Sequence, residues 1–162
     1  MDRPEVPKVR EIMTRKVVTL RPDETAAQAA ETLLHHAISG APVLGPDGRL
    51  VGLLSEFDCL HAVAAAGYEM DGHDEAQKVA DLMSRECQTV SPDLDLFGLA
   101  HEFVRLGVRR LPVVEGDRLV GLVSRRDVLR AVVELRHRTG GRRHYPDYPA
   151  GRDPIHDYPR GD

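Results

Sequence analysis

The chain has 162 residues, 30% charged and 41% hydrophobic, the balance of a folded globular protein and enough for one ordinary domain or two small ones that share a core. Its net charge of −4, from 22 basic against 26 acidic residues, gives no electrostatic argument for nucleic acid or an anionic membrane. Cys59 and Cys87 are too few for a disulfide framework, no run of about 18 apolar residues exists, and MDRPEVPKVR has no apolar signal core, so a soluble, cytoplasmic protein is expected.

In chain order, residues 1–8 are an N-terminal extension. Val9 to Met13 reads as a short helix and Val17-Val18-Thr19-Leu20 as an extended piece. Pro22-Asp23 predicts a turn and an N-cap, because proline cannot continue a strand and aspartate accepts orphan amides. Ala26, Ala29, Ala30, Leu33, Leu34 and Ala37 then share the apolar face of an amphipathic helix. Two apolar runs, Ala41 to Leu44 and Leu50 to Leu54, flank the polar turn Gly45-Pro46-Asp47-Gly48 and predict a β-hairpin. A last helix is expected just after Ser55, running through Leu60 and Val63. Residues 67–78, GYEMDGHDEAQK, form a polar linker long enough to let the chain swing round.

The same string of elements then returns. It comprises Val79 to Met83, Gln88-Thr89-Val90, Pro92-Asp93 and a helix carrying Leu96, Leu99, Ala100, Phe103, Val104 and Gly107. A hairpin of Leu111 to Val114 and Leu119 to Val123 follows, then a helix after Ser124 through Val128, Leu129 and Val132. Residues 136–162 are a tail rich in Arg, Gly, Pro and Tyr.

Val9 falls on Val79, Met13 on Met83, Thr19 on Thr89, Pro22 on Pro92, Pro42 on Pro112 and Val43 on Val113, each 70 residues on. One residue is missing from the second turn, and beyond it Gly52 meets Gly121, Ser55 meets Ser124 and Asp58 meets Asp127. The chain is therefore a tandem repeat, residues 9–66 and 79–135, of a β-α-β-β-α unit. A unit of about 55 residues with one three-stranded sheet leaves an apolar face uncovered. The expected fold is α/β (α+β), with two such units packed through their sheets about a pseudo-two-fold axis.

Ile12-Met13-Thr14 and Leu82-Met83-Ser84 lead the two units, x-Pro-Val opens each hairpin, and Gly52-Leu53-Leu54-Ser55-Glu56-Phe57-Asp58 and Gly121-Leu122-Val123-Ser124-Arg125-Arg126-Asp127 close them. This ordered set, present twice over roughly residues 9 to 135, resembles the CBS domain, named for cystathionine β-synthase, in its stand-alone tandem form, the Bateman module. The resemblance implies a disc-like pair with two clefts for adenine nucleotides or related adenosyl ligands, which usually regulates an attached enzyme or channel. No such further domain is read in this sequence.

An adenosine ligand needs a carboxylate for its ribose hydroxyls, an apolar slot for the base, and cations or amides for phosphate. Each charge-assisted hydrogen bond is worth roughly 1.5–3 kcal/mol. By the resemblance, Asp127 and Asp58 hold ribose. Ser124 and Ser55, at a helix N-terminus that favours anions, lie beside phosphate or ribose. The Asp127 site is expected to use Thr14, Arg15, Lys16 and Val17 with Ile38, Ser39, Ala41 and Pro42. The Asp58 site would use Ser84 to Cys87 with Val108, Arg109, Leu111 and Pro112. Arg109 stands where family members with phosphate-bearing ligands often carry a basic residue. Glu56 would repel a phosphate near Asp58 and Arg126 would attract one near Asp127, so the Asp127 cleft is the expected nucleotide site. AMP, ADP or ATP is favoured over S-adenosylmethionine.

Plainer readings stand beside these. Ser-x-x-Asp at a helix start is close to a capping box, and capping can coexist with binding. Arg109 and Arg110 also read as a solvated basic edge, and Pro42 and Pro112 as hairpin-opening residues. His35 and His36 diverge on a helix, and His61, His73 and His101 show no ligand spacing, so no metal is expected. Cys87 is either a redox-sensitive thiol or a buried, inert one. No nucleophile with a base, P-loop or zinc motif is recognisable, so no catalytic residue and no enzyme is expected. The tail is either a flexible terminus or, through Tyr145, Tyr148 and Tyr158, an anchor on a partner subunit. Two functions remain: a ligand-responsive sensor that signals to a partner protein, and a structural or dimerisation module with vestigial clefts. Helices through Leu60–Val63 and Val128–Val132 point to a homodimer in either case.

Overall fold

The computed structural model describes residues 5–66 and 77–140. Nearly all of the linker and the tail beyond residue 140, with its three tyrosines, lie outside the described residues. The elements are α1 (Val9–Ile12), α2 (Ala26–His35), β1 (Gly40–Leu44), β2 (Leu50–Ser55) and α3 (Glu56–Ala66), then α4 (Val79–Leu82), α5 (Leu96–Leu106), β3 (Arg110–Glu115), β4 (Arg118–Ser124) and α6 (Arg125–Arg138). Helix α6 thus runs past residue 136, where the composition changes. No described helix is long and apolar enough to cross a membrane.

Each hairpin is antiparallel, and each has its register shift at the same place, between Val43 and Leu44 and between Val113 and Val114. The expected third strand is reduced to one parallel bridge, Leu20 with Val43 and Val90 with Val113. Proline explains why. Leu20 donates its N–H to Pro42 O at 2.9 Å and accepts from Leu44 N at 2.9 Å. The next donor along a parallel ladder would be Pro22, and the preceding one Pro42, and neither has an N–H. Pro92 and Pro112 end the second ladder in the same way.

The Pro-Asp pairs make the expected turns, but the expected N-cap at Asp23 and Asp93 is not formed. Capping falls to Thr25 and Asp95, whose side chains accept from Gln28 N (3.1 Å) and Gly98 N (2.8 Å). The apolar face of α2 is also narrower than expected: Ala29 and Leu33 are buried, whereas Leu34 is 80% exposed and its counterpart Val104 83%. Helix α2 ends in a Schellman arrangement, with Ile38 N on Leu33 O (3.0 Å) and Ala37 N on Leu34 O (3.2 Å). Ala37 therefore sits at φ 51°, where the second repeat places Gly107 at φ 66°.

The short leading helices are exchanged between the units. Val9 is fully buried in the second core with Val90, Leu96, Leu99, Phe103, Leu111, Val113 and Val123. Val79 is fully buried in the first, with Leu20, Ala29, Leu33, Val43 and Leu54. The exchange is stitched by paired hydrogen bonds: Val9 N to Leu94 O and Val79 N to Glu24 O, both 2.9 Å, and Leu96 N to Pro7 O and Ala26 N to Gln77 O at 2.9 and 3.0 Å. Arg10 adds an ion pair with Asp93. Thr14 then bridges Leu122, and Ser84 bridges Leu53. Here the chain passes so close that an added Cβ on Gly121 would stand 2.5 Å from Met13 Sδ, and one on Gly52 2.6 Å from Met83 Sδ.

Candidate functional site

Two cavities open where the hairpins, the segments after the leading helices and the first turns of α3 and α6 converge. The one containing Asp58 encloses about 360 Å³ and the one containing Asp127 about 270 Å³. Each combines residues of both repeats, because the exchanged leading segment lays its Thr14 or Ser84 against the other unit's hairpin.

Thr14, Lys16, Val17, Ile38, Pro42 and Ser124 line the Asp127 cavity as expected. Ser55, Ser84, Arg109 and Pro112 line the Asp58 cavity. Several expectations change. Ser39 and Ala41 face the Asp58 cavity, not the Asp127 one, as alternate residues along an extended segment turn to opposite sides. Arg15 lines neither; its guanidinium donates to Arg10 O at 3.2 Å, as Arg85 does to Ala80 O at 3.3 Å. Leu111 belongs to the second core, 1% exposed, and Val108 packs against that core while its carbonyl accepts from Arg125 Nε at 2.6 Å. Arg126 and Glu56 are exposed and line neither cavity. The electrostatic ground for preferring the Asp127 cleft is therefore absent.

Sequence reasoning missed Gly40, Leu122 and Arg110 as walls common to both cavities. Arg110 was visible as half of an Arg-Arg pair; its partnership with Ser124 across β3 and β4, which brings it over both clefts, was not.

The two aspartates are held alike at one oxygen and differ at the other. Asp58 Oδ2 accepts from Ser55 N at 2.8 Å and Ser55 Oγ at 3.0 Å, and Asp58 N donates back to Ser55 Oγ at 3.2 Å. Asp127 Oδ2 repeats this on Ser124, at 2.8, 2.8 and 3.2 Å. The capping reading therefore holds for Oδ2. Asp127 Oδ1 meets Arg130 Nη1 at 3.4 Å; Asp58, with His61 at that helical position, has no such partner among the described residues. Neither Arg109 nor Arg110 is paired with a carboxylate among the described residues.

Among the described residues no group of three His, Cys, Asp or Glu side chains could hold a metal. Burial pushes the thiols of Cys87 and Cys59 above the ordinary range, and for Cys59 the neighbouring Asp58 carboxylate adds to it. Both therefore carry less thiolate at neutral pH than a free cysteine.

The profile of the CBS domain matches residues 9–65 and 79–134. An uncharacterized protein of Methanocaldococcus jannaschii is 34% identical over 122 residues, 75% of this chain and 41% of that one. The CBS domain-containing protein YhcV of Bacillus subtilis is 29% identical over 133 residues, 82% of this chain and 89% of its own length. The chain spans 23–44% of the length of the first four curated relatives it matches, among them a homoserine O-acetyltransferase and an inosine-5′-monophosphate dehydrogenase. Among solved structures, CBSX2 of Arabidopsis thaliana in complex with AMP superposes with a TM-score of 0.69 at 26% identity, covering 80% of this chain and 98% of that one.

Proposed function

The chain belongs to the CBS-domain family, and from that premise we propose that it is a regulatory, non-enzymatic sensor that binds an adenine nucleotide of the AMP, ADP or ATP kind and signals to a partner protein. The observation that carries this reading is Asp58 Oδ1, which has no partner among the described residues, on a cavity of about 360 Å³ that also holds Arg109 and Arg110. Capping fixes the carboxylate through Oδ2 and leaves Oδ1 to accept a ribose hydroxyl. Ala41, Pro42, Pro112 and Leu122 supply apolar wall for a base, and the two guanidinium groups suit phosphate. The Asp58 cleft, not the Asp127 cleft, is the primary nucleotide site in this reading. AMP in the similar CBSX2 structure supports the ligand class.

The partner and signal require ligand affinities that differ between two shapes of the module. The exposed apolar side chains Leu60, Val63 and Leu129 on α3 and α6 favour a homodimer through these helices, in the cytoplasm, with no role for nucleic acid or membrane. They are also the ground for a second reading, a dimerisation module with vestigial clefts.

A thermal-shift series with AMP, ADP, ATP, NAD and S-adenosylmethionine separates the two, since a ligand that binds the folded state raises Tm by mass action. The sensor predicts a shift with a nucleotide. Asp58→Ala should weaken it by about 10- to 100-fold in affinity, the loss of one charge-assisted hydrogen bond, and Asp127→Ala should weaken it less. No shift with any of the five would leave only the dimerisation module.

A further inference from the structure

The two clefts share one cation. Arg110 lines both cavities, and so does Gly40, its counterpart in the first repeat. Pseudo-symmetry therefore offers two places for a side chain between the clefts, and only one is filled. The other cannot be filled cheaply: a Cβ on Gly40 would stand 2.9 Å from the backbone oxygen of Leu54.

The charges around the two cavities show what the single guanidinium decides. The Asp58 cavity holds Asp58, Arg109 and Arg110; the Asp127 cavity holds Asp127, Lys16 and Arg110. Without Arg110 the remaining charged walls, Asp58 with Arg109 and Asp127 with Lys16, balance to neutral in each cavity. With it, one cavity at a time gains a net positive charge. Arg110 has no carboxylate partner among the described residues and is exposed, so it is free to turn to either side.

We infer that Arg110 couples the clefts negatively: a phosphate-bearing ligand that engages it in one cleft lowers the affinity of the other cleft for a second phosphate. The inference rests on the reading that the clefts take adenine nucleotides, and it makes Arg110 the residue that limits the module to one strongly held anionic ligand per chain. An adenosine without phosphate does not compete for the guanidinium. By linkage the effect is reciprocal, whichever cleft fills first.

The test is calorimetric titration of the full chain with AMP and, separately, with adenosine, for the wild type, Arg110→Gln and Arg110→Lys. The adenosine steps measure how unequal the clefts are for reasons other than phosphate. In the wild type, the second AMP step should be weakened relative to the first by about tenfold more than the adenosine steps show, up to a second step too weak to detect. Arg110→Gln should bring the AMP ratio to the adenosine ratio of the same variant, whereas Arg110→Lys, which keeps the charge, should preserve the excess. An AMP ratio equal to the adenosine ratio in the wild type, or an excess that survives Arg110→Gln, would overturn the coupling and leave the nucleotide reading intact. Binding of neither ligand would overturn both.

Discussion

The two repeats share one backbone and differ in how they fill it. Where the second packs Leu96, Leu99, Phe103 and Leu111 into its core, the first has Ala26, Ala29, Leu33 and Ala41 at the same positions. The small residues continue to the cleft, where Ser39, Gly40 and Ala41 wall the larger cavity and their counterparts are Arg109, Arg110 and Leu111. The side chains divide the work across the shared frame: the second core is built of larger side chains, and the first repeat keeps open space and, at Asp58 Oδ1, a carboxylate oxygen with no partner among the described residues. Core volume and binding volume compete for the same positions.

The difference in packing is open to direct measurement by urea denaturation. Phe103→Ala should cost about 3–5 kcal/mol, and its counterpart Leu33→Ala, beside the alanines of the first core, should fall toward the low end of about 2–5 kcal/mol. Equal losses would mean that the first core is packed as tightly as the second. A symmetric control sharpens the contrast. Gly52→Ala and Gly121→Ala should each cost about 1–3 kcal/mol, because the new methyl meets Met83 or Met13 together with a backbone oxygen 2.9 Å away in both repeats.

Smaller effects of opposite sign are expected where α2 and α5 end. Ala37→Gly should raise stability by about 1 kcal/mol, and Gly107→Ala should lower it by a similar amount, since a left-handed φ costs an alanine and not a glycine. Differential scanning calorimetry would show Tm moving up for one and down for the other; movement in the same direction would refute the equivalence of the two helix ends. The smallest effect is in the thiols. Both Cys59 and Cys87 have raised pKa values, so iodoacetamide labelling of the native protein should be slow at neutral pH and quicken only above the ordinary thiol range. Asp58→Asn should speed Cys59 and leave Cys87 unchanged.

What was legible in the sequence was local or repeated. The hairpins, the Ser-x-x-Asp helix starts and the repeat itself depend on neighbours within a few residues, or on matching positions, and all of them are present in the fold. The exchange of the leading helices was invisible for a specific reason. Val9 and Val79, and Met13 and Met83, are identical pairs, so the pattern is the same whether each helix packs on its own unit or on the other. Arg126 reads as a cleft residue only from its place beside Asp127 in sequence. One step along a helix turns a side chain by about 100°, and Arg126 points to solvent. The loss of the third strand is written in Pro22 and Pro42, which lack the N–H donors that a parallel ladder around Leu20 needs.

The exchanged helices also set an order of assembly on the ribosome. A nascent chain that has emerged as far as Ala66 presents the other buried residues of its first core and still cannot seal it, because the α4 segment with Val79 and Met83 has not yet emerged. The second core has the opposite history, since Val9, the earliest of its buried residues to be synthesised, must wait for the last of them. Cleavage of the polypeptide between residues 66 and 77 would therefore leave two fragments clasped through each other's cores, and separating them would require unfolding both.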